Sequence, residues 1–283
     1  MDERVQDAVS AIEAGNIYIN RNQIGAIVES QPFGGKKLSG TGPKAGGPHY
    51  LLRFLKEHNS TDANTESGNQ PATDHQTGSV TLQTASTGEP LIPHIKFLLD
   101  TLPDQLSFCS DAITNALKLA ETHFHTTIDL PGPTGESNRL SMEPAGTVLC
   151  LDGGNEAHWL AQSVQSLALG NAVIMAGSNA EKYSTAIADW LKEYNTGTLQ
   201  AFDVTANSPA IAELLGSAHL DAVATYNATQ VVKPVREQLA EREGPIVTLA
   251  TSLFDISPLV DEKSLCVDTT AAGGNASLLA AAS

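Results

Sequence analysis

From residue 147 onward, short apolar runs alternate with stretches whose apolar residues recur at helical spacing. "TVLCLDG" precedes "EAHWLAQSVQSLALGN", and "AVIMAG" precedes "EKYSTAIADWLKEY". "LQAFDV" precedes "PAIAELLG", "AVATYN" precedes "ATQVVKPVREQLAERE", and "PIVTLAT" closes the series. Uninterrupted apolar strands separated by helices predict a parallel sheet covered on both faces. The expected fold class is therefore α/β, a Rossmann-like doubly wound parallel sheet, over about residues 91–262. Nearer the start, Val5, Ala8, Val9 and Ile12 follow a helical period that Gly15 is placed to end. "NIYIN" then reads as a strand, and "HYLLRFLKE" as an amphipathic end.

Residues 58–90 carry almost no large apolar side chains and are rich in Ser, Thr, Asn, Gln and Gly. Such a stretch buries too little surface to offset its ordering entropy, so a flexible linker is expected there. The 57 residues before it, with one helix and one strand, bury too little to stand alone. They read as the end of something larger. No repeat of fixed period is evident.

Charge sharpens this division. Residues 1–57 hold seven basic and six acidic residues, net +1, whereas the remainder holds nine and twenty-six, net −17. An acidic body repels phosphate backbones, so nucleic acid is not an expected partner of this region. No apolar run reaches 18 residues, and no membrane span is expected. The charged start "MDERVQDAVS" does not read as a signal peptide. Cys109, Cys150 and Cys266 have no metal or redox spacing. Together these features predict reduced thiols and a cytoplasmic location.

Residues 25–48, "GAIVESQPFGGKKLSGTGPKAGGP", contain seven glycines and three prolines. Glycine permits close approach of backbone to a ligand, and successive N–H groups can cradle an anion. A tight surface turn is the plainer reading. Within "AGNIYINRNQIGAIVESQPFGGKKLSGTGPKAGGPHYLLRFL", the stretch strongly resembles the C-terminal end of an aldehyde dehydrogenase catalytic domain. The resemblance covers residues 10–55. It is to the L-glutamate-γ-semialdehyde dehydrogenase branch, the module that bacterial proline utilisation A proteins join to proline dehydrogenase.

The resemblance implies an NAD-dependent semialdehyde dehydrogenase in proline catabolism, with FAD in the proline dehydrogenase module. It implies that backbone N–H groups at Gly25 and Ala26 anchor the substrate carboxylate. It further implies that Phe33 packs on the aliphatic part of glutamate semialdehyde; plain core packing is the alternative for Phe33. Backbone donors suit a carboxylate, and an aromatic face keeps water from an aldehyde. The family's nucleophilic cysteine, base glutamate and cofactor site precede the strand matched by "NIYIN". This chain alone is therefore expected to be inactive, to hold no cofactor or metal, and to need the remainder of the catalytic module as partner.

Residues 143–252 resemble an aldehyde dehydrogenase cofactor domain more weakly, through "EPAGTVLCLDGGN", "LALGNAVIMAGS", "SAHLDAVATYNATQVVKPV" and "VTLAT". Ala176 stands for the lysine that contacts the cofactor ribose, Asn227-Ala228 for the phosphate turn, and Ala250 for the base glutamate. Asn155 matches the oxyanion-hole asparagine. The resemblance thus implies a non-catalytic domain over 91–262, serving as lid or brace. It also implies a tail at 263–283, including "LCVDTTAAGGNASLL", that packs back on the catalytic module, with Val267 to Thr270 as a strand.

Other candidates are bland. Cys150 and Cys266 read as small buried hydrophobes. Cys109 lies just before a helix start at Ser110, where a lowered thiol pKa is one reading. "HFH" at 123–125 lacks a nearby carboxylate or thiol to complete a metal site. Asp152, Glu156 and His158 cluster at a strand-to-helix turn, where acidic groups also suit a helix start. Two other function classes stay open: a free-standing assembly protein, homo-oligomers included, and an autonomous dehydrogenase using its own Rossmann-like domain.

Overall fold

The computed structural model describes residues 3–24, 26–40, 42–54, 82–205, 208–226 and 229–270. Its centre is a five-stranded sheet of β4 (Thr147–Leu151), β5 (Ala172–Gly177), β6 (Leu199–Asp203), β7 (Ala222–Ala224) and β8 (Thr248–Ala250). The order is β6-β5-β4-β7-β8, and every pair is parallel. This is the doubly wound α/β arrangement expected from the sequence, with strand order reversing between β4 and β7.

Alternation of side chains explains the two covered faces. Val148, Cys150, Val173, Met175, Ala222 and Ala224 share one core with α2 (Ile95–Asp100), α3 (Ser110–His123), α4 (Glu156–Ala168) and α5 (Ala180–Leu191). Leu149, Leu151, Ile174, Ala176 and Val223 share the other with α6 (Pro209–Gly216) and α7 (Thr229–Ala240). α4 is buried on all sides from Trp159 to Ala168, which its run of Ala, Leu, Val and small polar residues permits. Pro209 opens α6 behind the cap Ser208, whose hydroxyl accepts from the Ala210 amide.

A second sheet has the order β1-β9-β3-β2. β1 (Asn16–Ile19) follows α1 (Glu3–Ala11) and lies parallel to β9 (Val260–Asp268). β9 pairs antiparallel along its whole length with β3 (Glu136–Pro144), which pairs with β2 (Ile128–Leu130). Of the strand expected at 267–270, residues 267 and 268 end the longer β9, which crosses the boundary expected at 262, while 269 and 270 lie beyond it. β9 brings residue 264 beside residue 16, so the two ends of the described chain share one sheet.

Of the expected linker, residues 58–81 lie outside the described residues, as do 271–283 of the expected tail. Residues 83–89 are tied by hydrogen bonds to β6 and to the turns beside it. Thr198 N donates to Ser86 O (2.9 Å), Gly88 N to Gly170 O (2.9 Å) and Glu89 N to Asn195 O (2.8 Å). The Gln83 backbone and the Gln200 side-chain amide exchange two further bonds. Among the described residues, no helix is long and apolar enough to cross a membrane.

Candidate functional site

The glycine-rich loop leaves β1 and folds back across the second sheet. Asn16 in β1 starts this arrangement: its Nδ2 donates to Pro32 O (2.7 Å), and its Oδ1 accepts from Gly34 N (3.0 Å). Phe33 and Ala45 then exchange both backbone bonds, each at 3.0 Å, closing the loop as a small antiparallel bridge. Glycine is required at 15, where any Cβ would meet the carbonyl of Gly34 and the Lys44 ammonium.

Carboxylates of the second sheet hold this loop. Glu136, on β3, accepts from Gln31 Nε2 (2.7 Å), Asn138 Nδ2 (2.8 Å) and Arg21 Nη1 (2.5 Å). Burial alone would raise its pKa. Hydrogen bonds from Asn138 and Gln31, with the Arg21 charge, outweigh that and hold it below the usual carboxylate range. Arg21 also donates to Cys266 Sγ (3.2 Å), so β9 joins the same cluster.

Glu262, on β9, accepts from Lys44 N (2.6 Å) and bonds His49 Nδ1 (2.6 Å). The Lys44 side chain is buried, with Nζ donating to Gly34 O (2.6 Å). Burial lowers its pKa to about 8 against the opposing pull of Glu262 and Asp261. Lys36 lies 3.4 Å from Glu143 and 3.5 Å from Asp261, and Lys263 pairs with Glu143 from the neighbouring strand.

Gly25 lies outside the described residues. Ala26 is exposed, and Ile24 and Val28 on either side of it are 81% and 73% exposed. Phe33 is fixed by its backbone, yet the residue is 55% exposed and is not a core side chain in this structure. The residues that position the loop, Arg21, Gln31, Lys44, His49, Glu136 and Glu262, were not singled out in the sequence. Their one local signal is a set of polar residues inside segments otherwise reading as strand or turn.

The five-stranded sheet has a separate cleft of about 510 Å³ at the carboxyl ends of β4 and β5, reaching between α6 and α7. Asp152, Ala176, Ser178 and Gln238 help line it, and Asp152 is the one charged side chain among its described lining residues. Burial raises the pKa of Asp152. Its Oδ1 accepts from Gly154 N (2.9 Å). Asn155 caps α4, accepting from His158 N (3.1 Å), and Glu156 bonds the Tyr183 hydroxyl (2.7 Å). His158 stacks on Tyr226 with centroids 3.8 Å apart, at the point where strand order reverses. Asn227 and Ala228 lie outside the described residues.

Cys109 differs from the reading of an activated thiol. It is buried, donates to Leu106 O (3.1 Å), and burial pushes its pKa up to about 11. Cys150 is likewise pushed up to about 11. Cys266 is buried but more polar in setting than expected, because of Arg21. His125 stacks on His49 at 5.7 Å, and no metal-binding cluster occurs among the described residues.

Residues 2–59 match the model of the aldehyde dehydrogenase family. Over 99% of its length the chain is 34% identical to the bifunctional protein PutA of Salmonella typhimurium, and 30% identical to that of Rhizobium meliloti. The chain corresponds to the C-terminal region of proline utilisation A proteins. It spans 20% and 21% of those two relatives. Human mitochondrial delta-1-pyrroline-5-carboxylate dehydrogenase is 54% identical over 52 residues, which cover 18% of this chain and 9% of that protein. The solved proline utilisation A of Corynebacterium freiburgense covers 95% of this chain with 22% of its own, at 18% identity and a TM-score of 0.50, a likeness of fold.

Proposed function

We propose that this chain is the C-terminal part of an NAD-dependent L-glutamate-γ-semialdehyde dehydrogenase of proline catabolism. It supplies the loop that anchors the substrate carboxylate and a non-catalytic lid. The observation that carries this reading is the pattern of similarity. The whole chain resembles bifunctional PutA proteins, while identity to human mitochondrial delta-1-pyrroline-5-carboxylate dehydrogenase reaches 54% over only 52 residues.

Backbone N–H groups at Gly25 and Ala26 bind the substrate carboxylate, and the Phe33 ring covers its aliphatic part. The exposure of Ala26 and of Phe33 supports this, since both must be free to meet a ligand. Leu38, Leu51 and Phe54 are exposed too, which suits docking against the rest of a catalytic domain. The cleft at β4 and β5 offers a pyrophosphate no cation among its described lining residues and sets Asp152 against it. NAD, in this reading, is held by the preceding module, and FAD by a proline dehydrogenase module.

The test compares NADH formation from glutamate semialdehyde by the preceding catalytic portion with and without this chain. Oxidation should require the chain, and the chain alone should form none. Equal rates without it would refute the reading.

A further inference from the structure

Arg21 and Gln31 flank the expected anchor stretch at 25 and 26, ten residues apart, and both donate to one carboxylate. That carboxylate belongs to Glu136, more than a hundred residues away, on β3. Between the flanks, Ile24, Ala26, Ile27 and Val28 are exposed. Among the described residues, the span carries Ile24 N to Asn22 Oδ1 (3.3 Å), Gln31 N to Ile27 O (2.7 Å) and Glu29 N to Gly46 O (2.8 Å). A backbone so exposed holds its amides in one orientation only if its ends are fixed.

The fixing group is itself well fixed. The Gln31 side chain is buried, and Glu136 is braced by Asn138 two residues along the same strand. Arg21 is tied in turn to Cys266 on β9, which pairs with both β1 and β3. Charge-assisted bonds of this kind are stronger and more directional than neutral ones.

We propose that Glu136 is a positioning residue for the substrate loop: one carboxylate from β3 holds both flanks of the stretch in which the exposed Ala26 meets the substrate carboxylate. It touches no substrate. It acts through Arg21 and Gln31, and the proposal rests on the function assigned above.

The first test needs only this chain. Amide hydrogen exchange over residues 24–34 is compared in the wild type, Glu136→Gln and, from the loop side, Gln31→Met. Glu136→Gln keeps the shape and removes the charge. Exchange at the hydrogen-bonded amides of Glu29, Gln31, Phe33 and Gly34 should become at least about 10-fold faster in both variants while β4 and β5 stay protected. Should one variant unfold, the other decides. The second test uses the chain together with the preceding catalytic portion. Glu136→Gln should raise KM for glutamate semialdehyde about 10-fold, with a much smaller change for a short aldehyde lacking a carboxylate. Unchanged exchange, or equal losses on both aldehydes, would overturn the proposal. A wild-type assembly that cannot oxidise the semialdehyde refutes the function reading instead, and the exchange result then decides the hold on the loop by itself.

Discussion

Glu262 Oε1 lies 2.6 Å from His49 Nδ1, across 213 residues of sequence, while its Oε2 accepts the Lys44 amide at 2.6 Å. One buried carboxylate on β9 therefore closes the far end of the glycine-rich loop. Removing it leaves a buried backbone donor and an imidazole without their acceptor. Glu262→Ala should destabilise the chain by about 2–4 kcal/mol, read from urea unfolding with unchanged m-value. A loss below about 0.5 kcal/mol would mean that water replaces the carboxylate at no cost.

Gly146, between β3 and β4, has φ of +135°, a region L side chains rarely adopt. A Cβ there would collide with the Asp221 carboxylate, which accepts from Thr147 N at 2.8 Å. Gly146→Ala should cost about 2–4 kcal/mol from backbone strain and the displaced bond. Thermal unfolding checks it, and an unchanged Tm would show that Asp221 moves aside freely.

Lys44 gives a pH dependence with a definite sign. Burial lowers its pKa from 10.5 to about 8, so folding disfavours the charged form. Below about pH 8 the folded and unfolded chains both carry this proton, and the cost is fully present. Between about 8 and 10.5 the unfolded chain binds more protons, so this group's contribution to stability rises with pH. Wild-type stability should therefore gain on that of Lys44→Met across this window in urea titrations. A constant difference from pH 7 to pH 10.5 would contradict it.

The strands of the five-stranded sheet and the helices between them were legible because their signal is local. In β4, Val148 and Cys150 face one core while Leu149 and Leu151 face the other, and each side is apolar. β9 gave no such signal over most of its length. Its "VDEKSLCVD" places Asp261, Glu262 and Lys263 in succession, and charges in a row read as solvated chain. They are tolerated because their partners Lys36, Lys44, His49 and Glu143 come from far away in sequence. β3, "ESNRLSMEP", is hidden in the same way. The loop itself was legible as a motif, whereas the residues that hold it become visible only once the second sheet forms. Cys109 shows the converse. Its place before a helix start left a lowered pKa as one reading, and burial instead raises it.

Ala26→Pro tests the anchor directly. Proline deletes the Ala26 N–H assigned to the substrate carboxylate and restricts φ. With the catalytic portion present, losing one charge-assisted donor should weaken semialdehyde binding by about 1.5–3 kcal/mol, roughly 10- to 150-fold. Ala26 is exposed, so stability of the fold should change far less than binding. A short aldehyde without a carboxylate should lose much less, because it never used that donor. Proline oxidation in a linked module should be unaffected. Steady-state kinetics on the two aldehydes separate the alternatives. Equal losses on both would mean that proline distorts the whole loop, and no loss on the semialdehyde would remove Ala26 from the site.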